Sequence, residues 1–459
     1  MATRMAWIHF HTFGCKANQY DTERMRQEAE ARGARTADAA RADVIVVNTC
    51  TVTNQADADA RRYIRRLHRE RPDARIVVAG CSAALKPSAY RALEGVSGVV
   101  EGHDPVAVAR EATRGGSPVV QIGLRRALDR VDTEPVGAEL LTRRDGATRG
   151  WLKVQDGCDR RCGFCATRLA RGASRSRVPD EVIAEARLLA RSHPELVVTG
   201  IHIGHYGRDL PDRPTLSRLL ALLLDAVPDV RFRLGSVEAT EVDALLVELL
   251  ETSGGRVAPH LHMPLQSGAD PVLRRMRRWH TREGYRARTL EIASRLPVLG
   301  LGADVITGFP GETDADHQAT AALIDELPYT YVHVFPFSPR DGTDAARLHR
   351  EHPVPQRIAA ERSLDIRSRV QRKAERYQAS RAGELAEVAL EGTADRTGLT
   401  EDYLRVRVSG GEGLESARLH HGVLESRKGH LYIELPSGWS ERETGAPVRG
   451  SALAASAAP

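Results

Sequence analysis

Cysteine is scarce, six residues in a chain of 459. So low a content, in a chain that opens Met1-Ala2-Thr3-Arg4-Met5 with no apolar leader, argues against a disulfide scaffold and for a reducing, cytoplasmic home. No run of about 18 apolar residues exists to span a bilayer. The richest, Leu219 to Leu224, is bracketed by Arg218 and Asp225 and reads as a buried helix. No membrane partner is therefore expected. Lysine is nearly missing, five of the 66 basic residues, so the formal charge of +5 rests on arginine. A pI near 8.9 is compatible with an RNA partner without establishing one. No segment recurs at a period of about 20–50 residues, which excludes a repeat architecture.

The few cysteines are ordered. Three stand as Cys158-Asp159-Arg160-Arg161-Cys162-Gly163-Phe164-Cys165, and Cys15, Cys50 and Cys81 each end an apolar segment. A C-x3-C-x2-C triplet puts three thiolates on one loop, enough to hold three irons of a [4Fe–4S] cube and leave the fourth open. The competing readings are scattered core thiols and zinc, which normally draws on a second cysteine pair or a Cys/His partner at close range. Both triads here stop at three.

At about 150 residues per domain the length suggests three. Residues 1–122 alternate short β-branched runs (Trp7–Phe10, Val44–Val47, Arg75–Ala79) with helices from about Gln19 to Arg32 and Ala56 to Glu70. That pattern predicts an α/β unit with an open parallel sheet. Each of Cys15, Cys50 and Cys81 falls just beyond a strand's carboxyl end, where such sheets bind ligands. Residues 123–148 are charged and aperiodic and read as a linker.

Residues 149–380 carry a second alternation. Its six strands lie near Trp151–Val154, Leu196–Thr199, Arg231–Leu234, His260–Met263, Gly302–Ile306 and Thr330–Val334. Each is followed by a motif, as on the active face of a βα barrel. His260 and His262 alternate on a strand, so one of them is expected to face the lumen. A basic helix from Pro355 to about Ser380, with Arg357, Arg362, Arg367, Arg369, Arg372, Lys373 and Arg376, is either a solvated outer face or a nucleic-acid stripe. Residues 381–445 switch to period-two alternation (Ala386–Glu391, Tyr403–Val408, His430–Leu435) and predict a small antiparallel barrel. The tail 446–459, rich in Ala, Ser, Gly and Pro, is expected to be disordered.

Six motifs in this order resemble one family, the radical S-adenosylmethionine methylthiotransferases. They are Phe13-Gly14-Cys15-Lys16-Ala17-Asn18, Asn48-Thr49-Cys50, Ala79-Gly80-Cys81, the triplet between Asp156-Gly157 and Ala170-Arg171-Gly172, Pro264-Leu265-Gln266-Ser267-Gly268, and Gly308-Phe309-Pro310-Gly311-Glu312-Thr313. The resemblance spans about residues 6 to 440. It implies an N-terminal domain with an auxiliary cluster, a radical-SAM partial TIM barrel, and a C-terminal TRAM barrel that binds RNA. Thr51, Thr199-Gly200-Ile201-His202-Ile203-Gly204 and Leu399 to Val406 are similar to the branch that adds a methylthio group to carbon 2 of N6-threonylcarbamoyladenosine at tRNA position 37. The isopentenyladenosine branch usually has Ser at the Thr51 position, and the branch acting on a ribosomal protein usually has Gly. The chain departs from the family after the triplet, where Ala166-Thr167-Arg168-Leu169 replaces a hydrophobic pair and proline, and at Ala239, where proline is common.

The resemblance implies two [4Fe–4S] clusters, one on Cys158, Cys162 and Cys165 that cleaves S-adenosyl-L-methionine, the other on Cys15, Cys50 and Cys81 that carries sulfur. It implies cofactor contacts at Phe164, Gly200, Gly204, Ser236, Glu238, Gln266, Asp304 and Gly308; for Glu238 and Asp304 a loop-capping role stands equally open. The implied partners are the anticodon stem-loop of tRNA and an electron donor such as flavodoxin or ferredoxin. A non-catalytic RNA-binding protein with structural metal is the alternative from another class.

Overall fold

The computed structural model describes residues 5–114, 140–144, 146–392, 396–410, 417–427 and 429–435. Most of the expected linker and the whole expected tail lie outside them. At the linker's described end, Leu141 is buried and its N–H donates to Glu185 at 2.8 Å, so this stretch packs on the barrel.

Strands β1 (Trp7–Thr12), β2 (Arg35–Thr36), β3 (Val44–Thr49), β4 (Arg75–Gly80) and β5 (Val96–Val99) form one sheet in the order β2-β1-β3-β4-β5. Every pair is parallel. The continuous apolar run Val44–Val47 follows from burial on both faces. Val44, Val46 and Val77 pack with Met25, Ala29 and Val108, whereas Ile45, Val47 and Ile76 meet Ile64 and Leu67 on the other side. With this strand order the topological switch point falls between β1 and β3. Cys15 and Cys50 leave the sheet on either side of it, and Cys81 follows β4.

The central unit holds β6 (Arg149–Lys153), β9 (Glu195–Thr199), β10 (Arg231–Leu234), β11 (His260–His262), β12 (Gly300–Thr307) and β13 (Tyr331–Pro336), with a two-stranded ribbon of β7 (Gln155–Asp156) and β8 (Arg175–Ser176) beside the triplet. The six parallel strands pair as β10-β9-β6 and β11-β12-β13, joined by single bridges from Phe232 to Val257 and Ser236 to His262. This is an open partial barrel. Its outer helices bury Leu-rich faces; in Leu216–Ala226, Leu219, Leu220 and Leu223 are inaccessible, as the bracketed leucine run predicts. Among the described residues no helix is long and apolar enough to cross a membrane.

Two expectations need correction, and a third is refined. Residues two apart on a strand share a face, so His260 and His262 point the same way, and both reach the Tyr331 hydroxyl, at 2.7 and 3.1 Å. The basic helix, Gln356–Arg381, keeps Arg357, Arg367, Arg372 and Arg376 exposed, as a solvated outer face would, and it also straps the barrel. Arg362 pairs with Glu312 and Asp314, Arg367 donates to the Val334 carbonyl, Lys373 donates to the Asp325 carbonyl, and Arg369 holds Asp325 and Asp365. The C-terminal unit is a closed barrel in the order β14-β15-β16-β18-β17, from β14 (Leu385–Gly392), β15 (Thr397–Thr400), β16 (Arg405–Gly410), β17 (Leu419–Arg427) and β18 (His430–Leu435). It is not wholly antiparallel, because β16 and β18 run parallel.

This small barrel closes the lower end of the large one. Glu195, fully buried at the start of β9, accepts from Arg231 at 2.6 Å and Arg233 at 2.8 Å. Burial alone would raise its carboxyl, but the two guanidiniums hold it well below the usual carboxylate range. Arg231 also reaches Glu387, and Arg233 donates to the Thr400 and Glu401 carbonyls. One arginine layer thus serves two domains.

Candidate active site

Cys15, Cys50 and Cys81 sit on the turns beyond β1, β3 and β4. Gly14 takes a φ of +101°, and a Cβ there would fall 2.5 Å from the Cys50 Sγ; glycine alone lets the two turns close. Asn18 ties them together by donating to the carbonyls of Phe13 and Thr49, both at 2.9 Å. Cys15 is exposed, whereas Cys50 and Cys81 are buried. Burial pushes the Cys50 thiol up, and the Cys81 thiol up to about 12.

The triplet loop is pinned by its backbone. The Cys158 N–H donates to Gly172 at 3.1 Å, Gly163 donates to Met276 at 2.9 Å, and Ala345 donates to Gly163 at 2.8 Å. Cys158 Sγ lies 3.5 Å from His202 Nδ1, and Arg278, which holds Glu238, reaches Cys162 Sγ at 3.7 Å. Burial pushes Cys158 up to about 12 and raises Cys162 as well. A metal that binds such thiols displaces their protons, and its affinity carries the proton release.

The two triads meet across one buried joint. Arg171, wholly enclosed, donates Nε to Cys81 Sγ at 3.1 Å, Nη1 to Asp156 at 3.0 Å, and Nη2 to Asn18 at 2.6 Å and Asp21 at 2.7 Å. Lys153 bridges Asp21 and Asp156, both at 2.7 Å, and His103 reaches Asp156 at 2.9 Å. Asp156 stands two residues before Cys158. A single guanidinium therefore touches one triad and braces the strand end that carries the other.

Two thiolates on one tetrahedral zinc at about 2.3 Å each stand roughly 3.8 Å apart. Among the described residues one group of three ligand-type side chains has its atoms within 4.8 Å of one another, and it is His202, His205 and Glu241. Neither thiol triad is that tight.

Two family models match the sequence, an uncharacterized protein family, UPF0004, over residues 7–101 and the Radical SAM superfamily over residues 152–324. A threonylcarbamoyladenosine tRNA methylthiotransferase, MtaB, of Bacillus subtilis is 37% identical over 426 residues, covering 89% of this chain and 92% of its own. One from Thermotoga maritima is 33% identical, with 79% and 81% covered. A tRNA-2-methylthio-N(6)-dimethylallyladenosine synthase of Staphylococcus aureus is 30% identical, with 84% and 75% covered. The chain belongs to the radical S-adenosylmethionine tRNA methylthiotransferase family. Among solved structures, the radical S-adenosylmethionine methyltransferase TsrM of Kitasatospora setae shares the fold, with a TM-score of 0.53 at 16% identity over 72% of this chain and 75% of that one.

In this methylthiotransferase the other sequence-predicted residues ring the upper end of the barrel. Phe164 packs beside Val272, Met276 and Phe309. Gly200 and Gly204 form the turn after β9, and a Cβ on Gly204 would fall 2.0 Å from Glu241. Ser236 is exposed next to its bridge with His262. Gln266 has a φ of +67° and pairs its backbone with β12, donating to the Asp304 carbonyl at 2.7 Å. The Gly308 N–H donates to Glu312 at 2.6 Å. Glu238 and Asp304 are each engaged by a neighbour, Arg278 and His262 respectively.

Sequence reasoning missed four groups: Arg171 with its carboxylates, Arg278 beneath Cys162, the His202–Glu241–His205 brace, and Arg340. Arg171 lies inside a quoted motif, yet nothing local says where its side chain goes. In a chain this rich in arginine, one buried guanidinium has no compositional signal.

Proposed function

We propose that this methylthiotransferase inserts a methylthio group at carbon 2 of N6-threonylcarbamoyladenosine at tRNA position 37, beside the anticodon, in the cytoplasm. The observation that carries the reading is the joint at which the two thiol triads meet through Arg171. Both triads fit iron–sulfur clusters: each offers three thiols on neighbouring turns and no fourth cysteine, with Arg171 beside Cys81 and Arg278 beside Cys162, where a cluster's negative charge would fall. Cys158, Cys162 and Cys165 would hold one cluster, and Cys15, Cys50 and Cys81 the other. When bound, the first supplies the electron that cleaves S-adenosyl-L-methionine, and the second supplies sulfur in a low oxidation state.

The chain's own residues orient and enclose. The Gly200–Gly207 and Gly308–Thr313 turns permit close backbone approach to a cofactor, with Phe164, Ser236, Glu238, Gln266 and Asp304 around the same mouth. Arg278 keeps Glu238 turned toward the triplet, and the lower end of the barrel is stopped by the small barrel, which limits access of water. RNA is taken up by the small barrel, whose exposed Arg407 and Arg427 flank the ring of Tyr432, an arrangement suited to phosphate and base stacking. A reduced flavodoxin or ferredoxin would supply electrons.

The test has two parts. Anaerobically reconstituted protein is expected to carry about eight irons, two cubes' worth. Mass spectrometry of tRNA nucleosides from a deletion strain should show N6-threonylcarbamoyladenosine without its methylthio group, restored by the wild-type gene and not by Cys50→Ala or Cys162→Ala. Stoichiometric zinc, or loss of the methylthio group from isopentenyladenosine instead, would overturn the reading.

A further inference from the structure

A cavity of about 360 Å³ opens at the seam between the N-terminal sheet and the barrel, within the range of small-molecule sites, ~300–1,000 Å³. Three residues of its wall, Thr51, Ser82 and Ala166, each directly follow a cysteine of one triad or the other. No cysteine lines it, so it is not a cluster's own seat. It adjoins both.

Its one charged group without a full set of partners is Arg340. This side chain is 6% exposed, and its Nη2 is buried with no hydrogen-bond partner among the described residues. Its Nη1 is held by Asn54 Oδ1, and Asn54 is itself fixed by donating to the Pro339 carbonyl at 2.7 Å. The other charges around the cavity are spoken for. Asp57 is bound by Ser82, Tyr90 and Arg61, and Lys86 sits 3.0 Å from Asp341. Burial lowers the pKa of Arg340, although the Cys50 and Cys165 thiols, Asp57 and Asp341 work the other way. A buried guanidinium with one nitrogen of its fork unmatched asks for an anionic oxygen there.

We propose that Arg340 binds the carboxylate on the N6 substituent of the substrate adenine, and that the cavity, floored by Thr51 and walled by Ala166 and Leu169, holds that substituent. This rests on the reading of N6-threonylcarbamoyladenosine as substrate. The carbamoyl-linked threonine carries one carboxylate, whereas an isopentenyl group carries none. Discrimination follows from charge: a neutral substituent leaves the Arg340 fork buried and unmatched, which costs more than a missing attraction.

The experiment titrates the reconstituted full-length enzyme with anticodon stem-loops that differ only at the base. They bear N6-threonylcarbamoyladenosine, its methyl ester, or isopentenyladenosine. Wild type is expected to bind the acid about tenfold or more tighter than the ester. Arg340→Met should bring acid and ester within about twofold, and Arg340→Lys should restore part of the preference. Leu169→Trp, which fills part of the cavity, should weaken acid and ester alike. An undiminished acid preference in Arg340→Met at full iron content overturns the proposal, as does iron loss in that variant, which would assign Arg340 to a cluster. Tighter wild-type binding of isopentenyl RNA would instead refute the substrate reading itself.

Discussion

Arg171 is enclosed by groups that need its charge. Asp21 and Asp156 are both fully buried, and Lys153 alone cannot neutralise the pair. Burial would raise both carboxyls, yet the surrounding cations hold Asp156 well below its ordinary range. Arg171→Met should therefore destabilise by about 3–5 kcal/mol, the usual cost of orphaning a buried charge, read by urea denaturation. Arg171→Lys should recover little, because one ammonium cannot serve Cys81, Asn18 and two carboxylates at once. Near-wild-type stability in either would show that water already compensates the joint.

His280 supplies the pH prediction. Burial, aided by Arg278, lowers its pKa to about 4 from 6.5. Between those values the unfolded chain takes up a proton that the folded imidazole refuses. Stability is thus lost as pH falls from about 6.5 toward 4. His280→Gln, which can still donate to the Leu265 carbonyl that His280 faces at 3.2 Å, should flatten the stability profile in that window by on the order of 1–3 kcal/mol. Denaturation curves at pH 7 and pH 5 measure it.

At the scale of elements, contacts between domains are made by backbone as much as by charge. A Cβ on Gly300, at the start of β12, would lie 2.0 Å from the Asp402 carbonyl oxygen. Asp402 is itself inaccessible and accepts from Tyr377 at 2.7 Å and Arg381 at 2.9 Å. Gly300→Ala should wedge the small barrel off its seat and cost about 1–3 kcal/mol. Limited proteolysis should then cut after the strap helix first, and an unchanged digestion pattern would count against the wedge.

The parallel sheet and the six barrel strands were legible because β-branched runs and strand-end motifs are local signals. Strands Thr397–Thr400 and Leu419–Arg427 escaped, the first because it is short and holds Gly398, the second because His420, His421 and Gly422 break the alternation. No periodicity could show that β16 and β18 run parallel, since alternation fixes faces and not direction. The cysteines could be read because their spacing and strand-end placement carry the chemistry. Arg171 and Arg340 could not, because their partners lie as far as 153 and 286 residues away in sequence.

Across the whole molecule, the small barrel stops the large one and carries the proposed RNA surface. Glu387 and Glu391 turn toward Arg231 and Arg149, and Arg405 reaches back to Glu391 at 3.5 Å, while Arg407 and Arg427 are exposed beside Tyr432. Deleting the barrel would uncover the arginine layer and confuse the roles. Arg407→Gln with Arg427→Gln should leave the stopper in place and make the salt slope of tRNA binding shallower by about 1–2, roughly 0.7–0.9 for each lost phosphate contact. Titrations at several salt concentrations give the slope, and an unaltered one would move the RNA surface elsewhere.

The joint at Arg171 also has a timetable. The N-terminal sheet is complete at Val99, and the guanidinium that will cover Cys81 is translated later, at about 5–20 residues per second. On the ribosome, the first three thiols therefore stand for some seconds at an open sheet edge, with neither barrel nor arginine over them. On the proposed assignment, iron would have to reach that edge before docking covers it. Stalled nascent chains ending before residue 150 should react with maleimide at Cys50 and Cys81, and chains long enough to expose the folded barrel should not. Protection in the short chains would mean that the sheet shields its own thiols, and the order of synthesis would then place no limit on the order of loading.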